Sequence, residues 1–267
     1  MSDRSRLMAV FAHPDDDAWG IGGTVALSRD LIELTVVLAT SGGAGQVSDP
    51  SLATPENLAE VREAEEVESM TALGVPEAPV HFLRYADGAL EAADRGELVD
   101  RLVEIMAKVR PDVVVTFGPE GVTRHEDHIA IGEAATEAFH RARAESGGDG
   151  SSAAFRGLFY SSIPKSEIDE FYRLLRERGI DYGDPEGPFM PRGVPDETIA
   201  VRVDTTSVAD VKLAGIKAHR TQWDEFGLIP AEMQDRVLGE ECFVQAWPPA
   251  EPGGPVAESL LERVGPG

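Results

Sequence analysis

Apolar residues in this chain fall into short unbroken runs separated by longer amphipathic stretches. Residues 7–12 (Leu-Met-Ala-Val-Phe-Ala) are an uninterrupted apolar run, as expected of a strand buried on both faces; 34–39 read as a second buried strand, and the β-branched run 113–117 is the most strand-like segment. Residues 80–83, 158–160, 199–203 and 242–246 are further strand candidates. Between them, helical patterns cover 21–31, 97–109, about 129–144, 166–178 and about 208–220. Another helix is expected from Pro55, with Thr54 as its N-cap, to Leu73 before the stop signal Gly74.

Strand and helix alternate through the first half, which predicts a three-layer α/β/α fold with a mostly parallel, Rossmann-like sheet and a C-terminal extension. Residues 1–247 read as one domain. Within it, 164–197 is rich in Pro and Gly around one helix and reads as an insertion or lid. Residues 147–152 read as a surface loop and 248–267 as a loosely held tail. Ligands of parallel sheets sit beyond the carboxyl ends of the strands, which directs attention to the loops after Ala12, Ala39 and Phe117.

Composition narrows the partners. The 267 residues carry 48 acids against 24 Lys plus Arg, a formal charge of −24. A basic phosphate-binding face is therefore not expected, and neither is nucleic acid or an anionic membrane surface. Hydrophobic residues at 42% are ordinary for a globular chain. No stretch is long enough to span a bilayer and no secretory leader is evident, so the cytoplasm is the expected location. The single cysteine, Cys242, rules out an internal disulfide and reads as a buried small hydrophobe.

Two clusters carry the candidate chemistry. Ala12-His13-Pro14-Asp15-Asp16-Asp17 ends the first strand, and Arg124-His125-Glu126-Asp127-His128 comes after the most strand-like segment. Adjacent carboxylates at a strand end are unfavourable unless a cation or a shared proton offsets their charge, although an Asx turn capping the next helix is an alternative. His125 and His128 are spaced to face one way at a helix start. Together the clusters can provide three protein ligands with a position left for water, as in catalytic zinc sites, and leave a carboxylate and an imidazole for proton transfer.

Ala-His-Pro-Asp-Asp with Gly22-Gly23-Thr24, and His-Glu-Asp-His about a hundred residues later, resemble the LmbE-like (PIG-L) family of zinc-dependent N-acetylglucosaminyl deacetylases. The likeness extends over most of the chain, through Arg62 with Glu65, Asp87-Gly88-Ala89-Leu90, Thr116-Phe117-Gly118-Pro119 and Ala218-His219-Arg220-Thr221-Gln222. It implies that His13, Asp16 and His128 bind Zn2+, with Fe2+ as an alternative metal. Asp15 would be the general base. His125 would stabilise the oxyanion or protonate the leaving amine, with Asp127 orienting its ring. Arg62, Asp87 and Arg124 would contact substrate, and a homo-oligomer is implied. Two positions depart from the family pattern: Glu126 stands where proline is usual, and Thr123-Arg124 precede His125 where many members have tyrosine or glycine.

The resemblance implies a small N-acetylated amino sugar or conjugate as partner. The alternatives are an amidase of a thiol-sugar conjugate in the same family and a metal-binding module without turnover. A dinucleotide site is unsupported, since Gly-x-Gly-x-x-Gly from Gly20 would need glycine where Val25 stands. No basic phosphate clamp suggests a phosphoesterase, and no Gly-x-Ser-x-Gly elbow is present. Asp87 could also merely shape its turn, Arg62 could be a helical surface arginine, and His219 could enter the pocket or sit against the sheet. His81 and His140 read as structural.

Overall fold

The computed structural model describes residues 4–47, 49–147, 154–181, 183–187, 189–223, 227 and 229–265. Strands β1 (Ser5–Phe11), β2 (Ile32–Thr40), β3 (Val80–Tyr85), β4 (Val113–Phe117) and β5 (Gly157–Pro164) pair in parallel in the spatial order β3-β2-β1-β4-β5. Beyond β5 the sheet turns antiparallel: β8 (Glu240–Trp247) pairs with β5 on one side and β7 (Ile199–Asp204) on the other. The two-residue β6 (Gly193–Val194) adds to β5. The sheet is mixed and mostly parallel, as the runs of β-branched and aliphatic residues predict.

Helices α1 (Asp16–Ser28), α2 (Leu58–Ala72) and α7 (Ala209–Ala218) pack together in one layer, and α3 (Arg95–Val109) packs on α5 (Glu126–Glu145) in another. The strand order steps outward in both directions from the β1–β4 pair. That pair is the switch point at which α/β sheets bind ligands. The loops leaving β1 and β4 carry the two sequence clusters.

Glycine permits the closest approaches around this point. A Cβ on Gly23 of α1 would lie 2.5 Å from Thr205, and one on Gly132 of α5 would lie 2.5 Å from the Phe117 carbonyl oxygen. Behind α1, the buried Glu241 accepts from the Gly23 and Thr24 amides at 2.8 Å each. It also pairs with the buried Lys212 Nζ at 2.9 Å, tying α1, α7 and β8 together.

Some boundaries differ from the sequence reading. The first helix starts at Asp16, inside the acidic cluster, and stops at Ser28. The second begins at Leu58 because residues 54–57 form a turn in which Asn57 Oδ1 accepts the Thr54 N–H at 2.7 Å. Its end is as expected, with Gly74 at φ +83° and the Val75 N–H bonded to Met70 O. Helix α8 (Ala231–Gly239), before β8, has no counterpart in the sequence reading. The expected 147–152 loop lies outside the described residues apart from Gly147.

Residues after Trp247 are not a loose tail as far as Gly265. Ala257 exchanges backbone hydrogen bonds with Ala200 and Arg202, and α9 (Leu260–Val264) inserts Leu260 into the core. An apolar residue every few positions was enough to anchor a segment that composition marked as irregular.

Candidate active site

Strand β1 delivers His13 and the loop that opens α1, while β4 leads through α4 (Gly121–Arg124) to His125, the N-cap of α5. Three donor side chains converge there. His13 Nδ1 lies 3.2 Å from His128 Nε2 and 3.4 Å from Asp16 Oδ2, and His128 Nε2 lies 3.3 Å from Asp16 Oδ1. Tetrahedral donors at roughly 2.0–2.1 Å from one cation would be separated by about this much. The spacing therefore fits a divalent ion.

The other ring nitrogens fix the tautomers. His128 Nδ1 donates to the Gly121 carbonyl at 3.0 Å, which leaves Nε2 as a lone pair facing the site. His13 Nε2 faces Asp87 Oδ1 at 3.0 Å and Asp127 Oδ2 at 3.4 Å, so its proton is held there and Nδ1 is free to coordinate. The His128 ring is stacked on Phe117, the last residue of β4, with centroids 4.1 Å apart. Two other donor groups meet at His13, namely His13/His125/His128 and His13/Asp87/Asp127, each within 4.8 Å. In these, His125 Nδ1 is already occupied by the Asp127 amide at 3.1 Å and the Asp127 oxygens by the Gly88 and Leu90 amides.

Electrostatics agree with a cation between these groups. Burial opposes charge on His13, yet Asp127, Asp16 and Asp87 hold its pKa well above the ordinary imidazole value. Burial also opposes ionisation of Asp16, but His128 and His13 keep it below the usual carboxylate range. The carboxylates that retain a proton on His13 are the negative charge that a divalent ion would offset. His128 is pushed down to about 4 by burial and by the neighbouring histidines, so it stays neutral and able to ligate.

Asp15 and His125 flank the donors. Asp15 has a φ of 107°, a region that side chains rarely adopt and that costs about 1–3 kcal/mol. Arg62 Nη2 donates to its Oδ2 at 3.2 Å and to the Pro14 carbonyl. His125 accepts at Nδ1, so its neutral form carries the proton on Nε2. Burial and His13 lower its pKa.

Several expected residues occupy different surroundings from those predicted. Asp127 bonds the Gly88 amide at 2.7 Å, the Leu90 amide at 2.9 Å and His13, so its carboxylate acts on His13 and the Asp87 turn rather than on the His125 ring. Arg62 is only 4% exposed and is spent on Pro14, Asp15 and Gly42. Asp87, expected to meet sugar hydroxyls or to shape its turn, faces His13 Nε2 through Oδ1 at 3.0 Å and accepts the Ala44 N–H through Oδ2 at 2.7 Å. Arg124 is exposed beside His125, at φ +56°.

His219 is buried and is pushed down to about 3 by burial and by Arg62. His81 is exposed on β3, and the half-exposed surface residue His140 packs its ring on Trp247. Cys242 is buried, and burial raises its thiol to about 12.

The sequence reading missed two neighbours of the site. Glu66 is fully buried behind Asp15, where burial and Asp17 push its pKa well above the carboxylate range. It lies four residues after Arg62 on the same helix face, a spacing that was readable. Phe189, from the 164–197 segment, places its ring 5.1 Å from that of His125. Nothing in the local sequence signals that contact, because it spans 64 residues of chain.

Known proteins align with this arrangement. The family model for GlcNAc-PI de-N-acetylase (PIG-L) matches residues 8–139, which contain both clusters. A 1D-myo-inositol 2-acetamido-2-deoxy-alpha-D-glucopyranoside deacetylase of Kineococcus radiotolerans is 35% identical over 81% of this chain and 68% of its own. The enzyme of the same name from Tsukamurella paurometabola is 32% identical over 93% of this chain and 95% of its own. Among solved structures, N,N'-diacetylchitobiose deacetylase from Pyrococcus horikoshii superimposes with a TM-score of 0.60 at 26% identity, covering 94% of this chain and 85% of that one. The chain belongs to the PIG-L, or LmbE-like, family.

Proposed function

We propose that this protein is a metal-dependent hydrolase that removes the acetyl group from an N-acetylglucosamine-type substrate. The observation that carries the reading is the convergence of His13 Nδ1, Asp16 and His128 Nε2, with the second nitrogen of each histidine already engaged. Imidazole and carboxylate donors suit Zn2+, with Fe2+ as the alternative. When bound by His13, Asp16 and His128, such an ion would polarise the acetamide carbonyl and lower the pKa of water.

The chain's own residues then perform the proton transfers. Asp15 takes a proton from the attacking water as its oxygen bonds to the acetyl carbon. His125 Nε2–H donates a hydrogen bond to the developing oxyanion, and the proton that Asp15 took from water passes to the nitrogen as the C–N bond breaks, releasing acetate and the free amine. Asp127 fixes the His13 ring, and Arg62 orients Asp15. Asp87 and Arg124 are the proposed sugar contacts. The 164–197 segment, through Phe189, borders the leaving group.

The test is Asp15→Asn, assayed by acetate release from a panel of N-acetylglucosaminides with zinc restored after chelation. Turnover should drop by about 10²- to 10⁴-fold while stoichiometric zinc is retained. Undiminished turnover would remove Asp15 from the mechanism.

A further inference from the structure

Asp15 is difficult to hold in place. Relaxing its φ of 107° would rotate the peptide planes on either side and swing the carboxylate away from the donor cluster. Such a conformation persists only where the surroundings over-determine it. Two residues one turn apart on α2 provide this. Arg62 donates to the Pro14 carbonyl and to Asp15 Oδ2, and Glu66 Oε2 accepts the Asp15 N–H at 3.4 Å. On the far side, the Trp19 N–H donates to the Asp15 carbonyl at 3.1 Å.

Glu66 is walled off from substrate. Its side chain is fully buried behind the Pro14–Asp15 turn, with His219 Nε2 3.8 Å from Oε2. Helix α2 is itself fixed at this level. Glu65 accepts from the Thr221 amide at 3.0 Å and its hydroxyl at 2.7 Å, and Arg62 Nη1 donates to Gly42 O at 3.1 Å. Burying a carboxyl beside two others is unfavourable, and an apolar side chain could fill the same volume without that penalty. What the apolar residue would lack is the acceptor aimed at the Asp15 amide.

We propose that Glu66 is a positioning residue for the general base: its Oε2 fixes the Asp15 amide, and with it the conformation that presents the Asp15 carboxylate to the attacking water. The inference rests on the reading of Asp15 as that base. It assigns a task in the reaction to a residue with no path to the substrate.

Zinc-loaded full-length Glu66→Gln, Glu66→Met and Glu66→Asp test it. Gln keeps an oxygen acceptor in place, Met fills the volume without one, and Asp withdraws the carboxyl by one methylene. Glu66→Gln should keep kcat within about threefold of the parent, while Glu66→Met and Glu66→Asp lose roughly 10- to 100-fold in kcat at unchanged KM. All should bind stoichiometric zinc and, loaded with Co2+, share one visible spectrum. Full kcat in Glu66→Met overturns the proposal. So does a Glu66→Gln as slow as Glu66→Asp, a comparison that stands even if Glu66→Met does not fold. A fully active Asp15→Asn would instead remove the base itself, so the two failures can be told apart.

Discussion

Asp127 shows how much a single buried carboxylate organises here. It accepts two backbone amides from the Gly88–Leu90 turn and faces the Nε2 of His13, so one side chain holds a histidine proposed as a metal ligand and the turn that carries Asp87. Burial opposes its ionisation, but His13 and the two amides lower its pKa, and it remains a carboxylate at neutral pH. Outer partners of this kind typically contribute 10- to 100-fold in metal affinity. Asp127→Ala should therefore weaken zinc binding by about that factor, as read by competition with a chromogenic chelator. Unchanged affinity would mean that Asp87 alone fixes the His13 ring.

At the scale of elements, the site depends on two helices, α5 pressed close against its strand and α2 with a polar buried face. Helix α5 carries Asp127 and His128, and it approaches β4 closely enough that Gly132 faces the Phe117 carbonyl. A methyl group at that position must push α5 away from the strand whose Phe117 stacks on His128. Gly132→Ala should cost about 1–3 kcal/mol in urea unfolding and lower turnover as well. A stable variant with full activity would show that the interface can yield without moving His128. On α2, Arg62, Glu65, Glu66 and Ser69 share the buried face with Leu58 and Met70, so polar residues occupy positions that the 3.6-residue period assigns to the core.

Across the whole molecule the dominant quantity is the charge of −24. Asp15, Asp16, Asp87 and Asp127 lie at the switch point, where His13 and the proposed cation answer them locally. Most of the other acids are on the surface, and several pair with arginine, as Glu133 and Glu137 do with Arg95. Their mutual repulsion disfavours the compact state and is screened over about 10 Å at 0.1 M salt. Raising NaCl from about 0.05 to 1 M should thus raise Tm by several degrees, measured by differential scanning calorimetry of the zinc-loaded protein. A fall in Tm over that range would show that attractive pairs outweigh the net repulsion.

Local pattern alone determined a good deal of this protein. The runs at residues 7–12, 34–39 and 113–117 read as strands buried on both faces, because they are short, aliphatic and β-branched, with threonine as their one polar residue type. Gly74 ended α2 because a left-handed cap needs no Cβ. The two acid–histidine clusters were legible as candidate ligands because five carboxylates and three histidines beside strand ends demand compensation. Tertiary structure decided the rest, through contacts made by residues far apart in sequence. It turned the Asp127 carboxylate toward His13, 114 positions away, rather than toward its neighbour His125. It drew Arg62 and Glu66 under Asp15, brought Phe189 onto His125, and anchored Leu260 in the core. Periodicity reports which face of an element is buried, but the partner that covers it depends on how the layers close.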